Sequence, residues 1–126
     1  MKDLRASLKT KWFEMTKAKI KREDYREITP YWISRLIEKE FAWGCKTIED
    51  IQHALYACPN GVFKKFNANI MTLGYPKSGD KKRIIKYKHD GIEIRTGNPD
   101  WGAEPGKVYF VIKHGEELTP KTAINY

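Results

Sequence analysis

A dense run of charged side chains at residues 21–28, KREDYREI, holds the residue types that proton transfer requires. Lys21 could act as a base or a nucleophile in its uncharged form, which repulsion from Lys19 and Arg22 favours. Glu23 and Asp24 favour the charged form of Lys21, and both are themselves candidate proton-transfer partners. Carboxylates beside Lys and Arg also form ordinary surface ion-pair networks. The segment therefore predicts either a catalytic site around Lys21, Glu23 and Asp24 or a charged surface.

The spacing of Lys21 and Arg26 limits how they can meet. Residues five apart on a regular strand point to opposite faces of the sheet. Both cations can line one cleft only if Lys21 lies in the turn before the strand or if a bulge intervenes. We expect the turn arrangement, and we expect nearby aromatic rings to stack on bases.

The net charge of +8 is concentrated in two blocks of the sequence. Residues 1–30 carry +4 and residues 61–90 carry +6, whereas the remaining residues are slightly acidic. A basic surface attracts polyanions, and nucleic acid is a common partner of such a protein. A solvated basic edge that prevents aggregation between strands explains the second block as well. The candidate phosphate-binding residues in that block are Lys81, Lys82, Arg83, Lys86 and Lys88.

Length and composition favour one globular domain over residues 1–126, because 13% of the residues are aromatic and disordered chains are poor in them. No apolar stretch approaches the roughly 20 residues of a bilayer-spanning helix, and the N-terminal residues lack a signal-peptide core. We therefore expect a cytoplasmic protein with no membrane partner. Cys45 and Cys58 fit free thiols better than a zinc site or a disulfide framework. No sequence motif indicates a metal or a cofactor.

Local patterns predict an α+β fold. Apolar spacing and capping residues predict helices at residues 9–17, from Thr29-Pro30 onward, and from Thr47 onward. The second half of the chain contains β-strand patterns at residues 69–75, 83–89, 92–96 and 108–112. Asp90-Gly91 predicts a hairpin turn between two of these strands, with Tyr87 facing Ile94. Helices packed on a small curved sheet or barrel would accommodate this order of elements.

Two stretches of the sequence resemble the ASCH domain family. The first comprises WFEM at residues 12–15, KREDYREITPYW at residues 21–32, and Arg35-Leu36. The second comprises NPDWGAEPG at residues 98–106 and YFVIK at residues 109–113. The two stretches resemble the opening and the closing parts of the ASCH domain, in the family's order. The resemblance implies a small β-barrel related to the PUA RNA-binding domain, with a helical insertion around residues 41–68.

The resemblance also implies roles for individual residues. Lys21 and Arg26 match the Lys and the Arg of the family signature, and Lys19 stands where the family has Gly. The resemblance thus implies a ligand-binding site formed by Lys19, Lys21, Tyr25, Arg26 and Trp101. Because Gly permits backbone conformations that Lys avoids, the loop could differ in shape here. Asp24 stands where the amidohydrolases of the family have Thr, and a carboxylate lacks the hydroxyl that would act as the nucleophile.

Three functions remain open from the sequence. The first is an RNA- or nucleotide-binding module that uses a basic cleft around Lys21 and Arg26. The second is a hydrolase acting on a modified nucleoside such as N4-acetylcytidine, or on RNA, with Lys21 catalytic. The third is a small protein-interaction domain of a mobile element.

Overall fold

The computed structural model describes residues 2–77 and 79–118, and these residues form an α+β protein. The five strands are β1 (Lys2–Leu8), β2 (Glu23–Arg26), β3 (Phe66–Leu73), β4 (Ile84–Thr96) and β5 (Val108–Glu117). The α-helices are α1 (Thr10–Lys17), α2 (Pro30–Leu36), α3 (Lys39–Ala42) and α4 (Ile48–Ala57). The predicted α+β class is therefore confirmed. Within the described ranges, no helix is both long and apolar enough to cross a bilayer.

The strands are hydrogen-bonded in one mixed sheet, in the order β1-β3-β4-β5-β2. Strand β1 runs parallel to β3, with Leu4 opposite Asn69. Strand β4 runs antiparallel to β3, with Tyr87 opposite Asn69. Asn69 thus lies on a strand with a hydrogen-bonded partner on each side. The more specific assignment to a PUA-like barrel stays a prediction.

The chain divides into two compact units, each built from separate parts of the sequence. Of the described residues, unit 1 contains residues 2–24, 66–77, 79–91 and 113–118, and unit 2 contains residues 25–65 and 92–112. The apolar core of unit 1 includes Leu4, Phe13, Ala68, Ile70, Met71 and Ile85. The apolar core of unit 2 includes Ile33, Leu36, Ile51, Val62, Phe110 and Val111. The single-domain interpretation of residues 1–126 stays a prediction.

Both predicted helix caps are present. The Thr29 hydroxyl accepts a hydrogen bond from the Trp32 backbone N–H at 3.3 Å, and Pro30 is the first helical residue of α2. At α4, Thr47 and Asp50 form the reciprocal capping box that their spacing predicts. Helix α4 lies within the stretch of residues 41–68 that the resemblance treats as an insertion.

The predicted hairpin at Asp90-Gly91 is wrong, because β4 continues without a turn from Ile84 to Thr96. A two-residue Asp-Gly hairpin turn requires a positive φ at both residues. Gly91 has a φ of 107°, but Lys19 is the only non-glycine residue with a positive φ in the described part of the chain. Residues 84–88 of β4 pair with β3, and β4 remains extended beyond them to Thr96. Tyr87 and Ile94 therefore belong to one strand and do not face each other across a turn.

Candidate functional site

Lys21 is a buried cation in unit 1 and is paired with Asp24. Its side chain is 3% exposed and that of Asp24 is 5% exposed. The Lys21 ammonium lies 3.5 Å from Asp24 Oδ1 and donates a hydrogen bond to the main-chain carbonyl of Glu23. Burial of a charge is costly unless the charge is paired and hydrogen-bonded. The Asp24 carboxylate and the Glu23 carbonyl provide this compensation for Lys21.

The end of α1 positions Lys21. The Ile20 N–H donates to the Met15 carbonyl and the Lys19 N–H donates to the Thr16 carbonyl, which together form a Schellman motif. This motif needs a left-handed residue just after the helix, and Lys19 occupies that position with a φ of 65°. Lys19 therefore adopts a backbone conformation that Gly would favour. Lys19 is also ion-paired with Glu117 at 3.2 Å.

Asn69 holds two histidines and a main-chain carbonyl together. Its side-chain nitrogen lies 3.0 Å from the Lys113 carbonyl oxygen and 2.9 Å from His114 Nδ1. Its side-chain oxygen lies 2.7 Å from His89 Nδ1. Because a carbonyl can only accept, the Lys113 contact fixes which end of the amide is the nitrogen. Asn69 is fully buried, and all three of these contacts lie within unit 1.

His114 lies in β5, where its ring contacts the Asn69 amide and is influenced by the charges of Lys21 and Asp24. It is 5% exposed, and its backbone N–H donates to the Arg22 carbonyl at 3.1 Å. Burial lowers the pKa of His114 to about 4. The Asp24 charge opposes this effect, whereas Lys21, His89 and Arg22 lower the pKa further. The ring of His114 is therefore neutral at neutral pH.

Tyr87 supports the ring of His114 from one face. The two rings are stacked, with centroids 5.3 Å apart and planes inclined by 27°. The Tyr87 hydroxyl donates to the Thr16 carbonyl at 2.6 Å, at the end of α1. Burial raises the pKa of Tyr87, so this hydroxyl stays protonated. The side chain of Tyr87 and the turn that precedes Lys21 are thus both hydrogen-bonded to the C-terminal end of α1.

Lys21 contacts the Asp24 carboxylate and the main-chain carbonyl of Glu23, and the catalytic role of these three residues stays a prediction. Lys21 lies in the segment before β2, as the turn arrangement requires, and Arg26 is the last residue of β2. Lys21 belongs to unit 1, whereas Arg26 and Trp101 belong to unit 2. The cleft that Lys21 and Arg26 were expected to share stays a prediction.

The predicted aromatic and cationic residues of unit 2 have contacts of their own. The Tyr25 hydroxyl accepts from the Asn98 N–H at 2.9 Å, and the Tyr25 ring lies 5.8 Å from the ring of Tyr109. The Arg26 guanidinium lies 4.9 Å from the centroid of the Trp32 ring. Trp101 is half-buried in a short 3-10 turn, Pro99–Trp101. Tyr25 therefore packs within unit 2, and its role in base stacking stays a prediction.

The basic residues of the second block lie on exposed parts of unit 1. Lys81, Lys82 and Arg83 form an exposed 3-10 turn, and Lys88 is exposed on β4. Two cations of this block have acidic partners: Arg83 lies 3.7 Å from Asp80, and Lys86 lies 3.8 Å from Asp3. Lys81, Lys82 and Lys88 can therefore approach an anion more readily than Arg83 and Lys86, which already contact carboxylates.

Unit 2 contains a cavity of about 310 Å³. It is mainly apolar and is lined by residues that include Pro30, Ile33, Trp43 and Cys45. Burial raises the pKa of the Cys45 thiol, which favours the unreactive protonated form. None of the predicted site residues lines this cavity.

Sequence reasoning missed Asn69, His89 and His114 as site residues. Each is a polar side chain on a strand, and Asn69 lies among the fully buried residues Ala68 and Met71. A polar residue within an apolar strand segment was the available signal. The sequence could not pair these three residues, because Asn69 and His114 are 45 positions apart.

Comparisons with known proteins identify no relative: no family model, no curated protein and no solved structure matches the chain. The resemblance to the ASCH family therefore stays a prediction. In the described ranges, no group of three or more His, Cys, Asp or Glu side chains is arranged to hold a metal ion.

Replacing Lys19 tests the Schellman motif that positions Lys21. Lys19→Gly and Lys19→Ala both remove the ion pair with Glu117, but only Gly relieves the left-handed backbone conformation. We expect the Gly variant to be more stable than the Ala variant by about 1 kcal/mol in urea denaturation. At Lys17, the last residue of α1, the order should reverse, because Gly weakens a helix. An Ala variant at position 19 as stable as the Gly variant would contradict the motif.

A double-mutant cycle tests whether Lys21 and Asp24 act as a buried pair. We expect Lys21→Met and Asp24→Asn each to cost about 3–5 kcal/mol, because each leaves one buried charge without the opposite charge that balances it. The double variant should cost less than the two single changes together, with a coupling of more than about 1 kcal/mol. The exposed Arg83–Asp80 pair is the control, with Arg83→Met and Asp80→Asn, and should couple by less than about 1 kcal/mol. Equal coupling in the two cycles would show that the Lys21 pair is not special.

Proposed function

We propose that the protein binds RNA or a nucleotide, with unit 1 as the binding unit. The observation that carries this proposal is the distribution of charge between the two units. Among the described residues, unit 1 holds 15 Lys and Arg residues and 8 Asp and Glu residues, whereas unit 2 holds 8 of each. The net charge of the described residues, +7, therefore belongs to unit 1. A polyanion gains most from such a concentrated charge.

The buried and exposed cations of unit 1 suit different parts of a nucleotide. The exposed residues Lys81, Lys82 and Lys88 can approach phosphates without loss of an internal contact described above. Lys21 is a poor phosphate ligand, because Asp24 already balances its charge at 3.5 Å. We therefore assign the phosphates to the exposed basic block and a less charged part of the ligand to the region of Lys21. The predicted PUA-like ASCH barrel is in keeping with this division, and it remains a proposal.

Hydrolysis of a modified nucleoside is the second candidate function. The observation in its favour is the burial of Lys21 and Asp24 beside a neutral histidine. In that reaction water adds to the acetyl carbonyl carbon, the C–N bond breaks, and a proton moves to the departing nitrogen, which gives acetate and cytidine. Mass spectrometry of N4-acetylcytidine after incubation with the protein separates this activity from binding alone.

A matched pair of double variants tests RNA binding. Lys82→Gln with Lys88→Gln removes two exposed charges from unit 1, and Lys39→Gln with Lys46→Gln removes two exposed charges from unit 2. In fluorescence anisotropy with a short labelled single-stranded RNA, we expect the wild type to bind with strong salt dependence. The unit 1 variant should reduce the slope of log K against log salt concentration by about 1.4, because each phosphate contact on a single strand contributes about 0.7.

The unit 2 variant carries the same net charge as the unit 1 variant, so it controls for a non-specific charge effect. Its salt slope should stay close to that of the wild type. Circular dichroism should show that both variants are folded. Equal losses in the two variants, or no binding by the wild type at low ionic strength, would refute the proposal.

A further inference from the structure

Tyr75 exposes its ring to solvent within the basic unit 1. The residue is 96% exposed. The other described aromatic residues of unit 1 are buried or half-buried, namely Trp12, Phe13, Phe66 and Tyr87. A single exposed aromatic residue is common on protein surfaces, so exposure alone assigns no function. The charge and the restraint of the loop around it distinguish Tyr75 from an ordinary surface tyrosine.

The loop that carries Tyr75 is strongly basic. It connects β3 to β4, and its described residues, 74–77 and 79–83, include four Lys or Arg side chains and one Asp. Lys77 is exposed, and so are the three cations of the 3-10 turn Lys81–Arg83. Four positive charges minus one negative charge give the loop a net charge of +3. The exposed ring thus lies in a segment that attracts anions.

Strand pairing places the two ends of this loop together. Thr72 of β3 lies opposite Ile84 of β4 in the antiparallel ladder. Tyr75 is three residues beyond Thr72, and Arg83 immediately precedes Ile84. The Arg83 N–H donates to the Asp80 carbonyl at 3.1 Å, so the loop turns before it enters β4. The exposed ring and the exposed cations therefore lie at the same end of the β3–β4 strand pair.

The backbone on both sides of Tyr75 is restrained. Gly74 has a φ of 64°, in the left-handed region, and its carbonyl accepts a hydrogen bond from the Thr72 hydroxyl at 2.8 Å. Pro76 follows Tyr75, and a proline restricts the preceding residue to extended conformations. A ring on a restrained backbone loses less conformational entropy when a ligand covers it.

We infer that an unpaired RNA base stacks on the ring of Tyr75 while neighbouring phosphates contact the exposed lysines of the same loop. This inference rests on the proposed function and names the residue that contacts a base. Proteins that bind single strands combine a basic surface with exposed aromatic rings, and stacking tolerates any base because every base has a π-face. Bases in duplex RNA are already stacked on one another, so this loop selects single-stranded RNA.

The variant Tyr75→Ala tests this contact by fluorescence anisotropy with two labelled single strands of equal length. One strand carries bases, and the other is the same ribose-phosphate chain without bases. We expect Tyr75→Ala to weaken binding of the strand with bases by about tenfold, the effect of one stacked base, and to leave binding of the abasic strand unchanged. The salt dependence should match that of the wild type, because no charge is removed. Tyr75→Phe keeps the ring and should bind both strands like the wild type.

Tyr56→Ala is the matched control, because Tyr56 is 91% exposed but lies on α4 in unit 2. It should bind both strands like the wild type. Circular dichroism should show that all three variants are folded, since each change affects a side chain that lies in solvent. Equal weakening by Tyr75→Ala and Tyr56→Ala, equal weakening on the two strands, or weak binding by Tyr75→Phe would overturn the inference.

The inference and the proposed function can fail separately. Salt-dependent RNA binding that Tyr75→Ala leaves unchanged would refute only the inference. Absence of RNA binding by the wild type at low ionic strength would refute both.

Discussion

The buried side-chain amide of Asn69 is the interaction on which the arrangement of unit 1 depends. It donates to the Lys113 carbonyl and to His114 Nδ1, and it accepts from His89 Nδ1. Since Asn69 has no exposure to solvent, a missing partner would leave a desolvated polar group at a cost of about 1–3 kcal/mol. The amide therefore links strands β3, β4 and β5 and also determines the tautomer of His114. The Asn69 side chain therefore both connects the three strands and fixes the protonation state of the His114 ring nitrogens.

The exposed surface and the interior of unit 1 differ in net charge. The net positive charge of the described residues belongs to this unit, but its buried cation is balanced by Asp24, and its two buried or half-buried histidines have lowered pKa values, chiefly because of burial. Excess positive charge is therefore available at exposed residues such as Lys82 and Lys88, where solvation is cheap. The interior of unit 1, in contrast, carries little net charge.

Local signals in the sequence were enough to predict much of the fold. The caps at Thr29 and Thr47 depend on residues three positions apart, so they could be read directly. The Asp90-Gly91 pattern is equally local, but it failed because Gly91 can take its positive φ within the long strand β4. The turn before β2 was also expected, and the Schellman motif explains why the position of Lys19 suits Gly.

The site was only partly predictable, since its parts come from distant positions. Lys21 and Asp24 are close in sequence, and their charges drew attention to the segment. Their burial could not be read from the sequence, because a charged run usually indicates an exposed surface. Asn69 and His114 meet through the pairing of strands, and neither residue belongs to a recognisable motif. The charge blocks at residues 1–30 and 61–90 were apparent, but their common membership in unit 1 required the structure.

The most direct measurement of the central claim is the titration of His114 in the free protein by nitrogen-detected nuclear magnetic resonance. The structure predicts a neutral ring at pH 7, with the proton on Nε2 and an unprotonated Nδ1 that accepts from Asn69. Protonation should occur with a midpoint near pH 4, because burial lowers the pKa from the ordinary value of 6.5 to about 4. A midpoint near pH 6.5, or a neutral ring with its proton on Nδ1, would contradict the account.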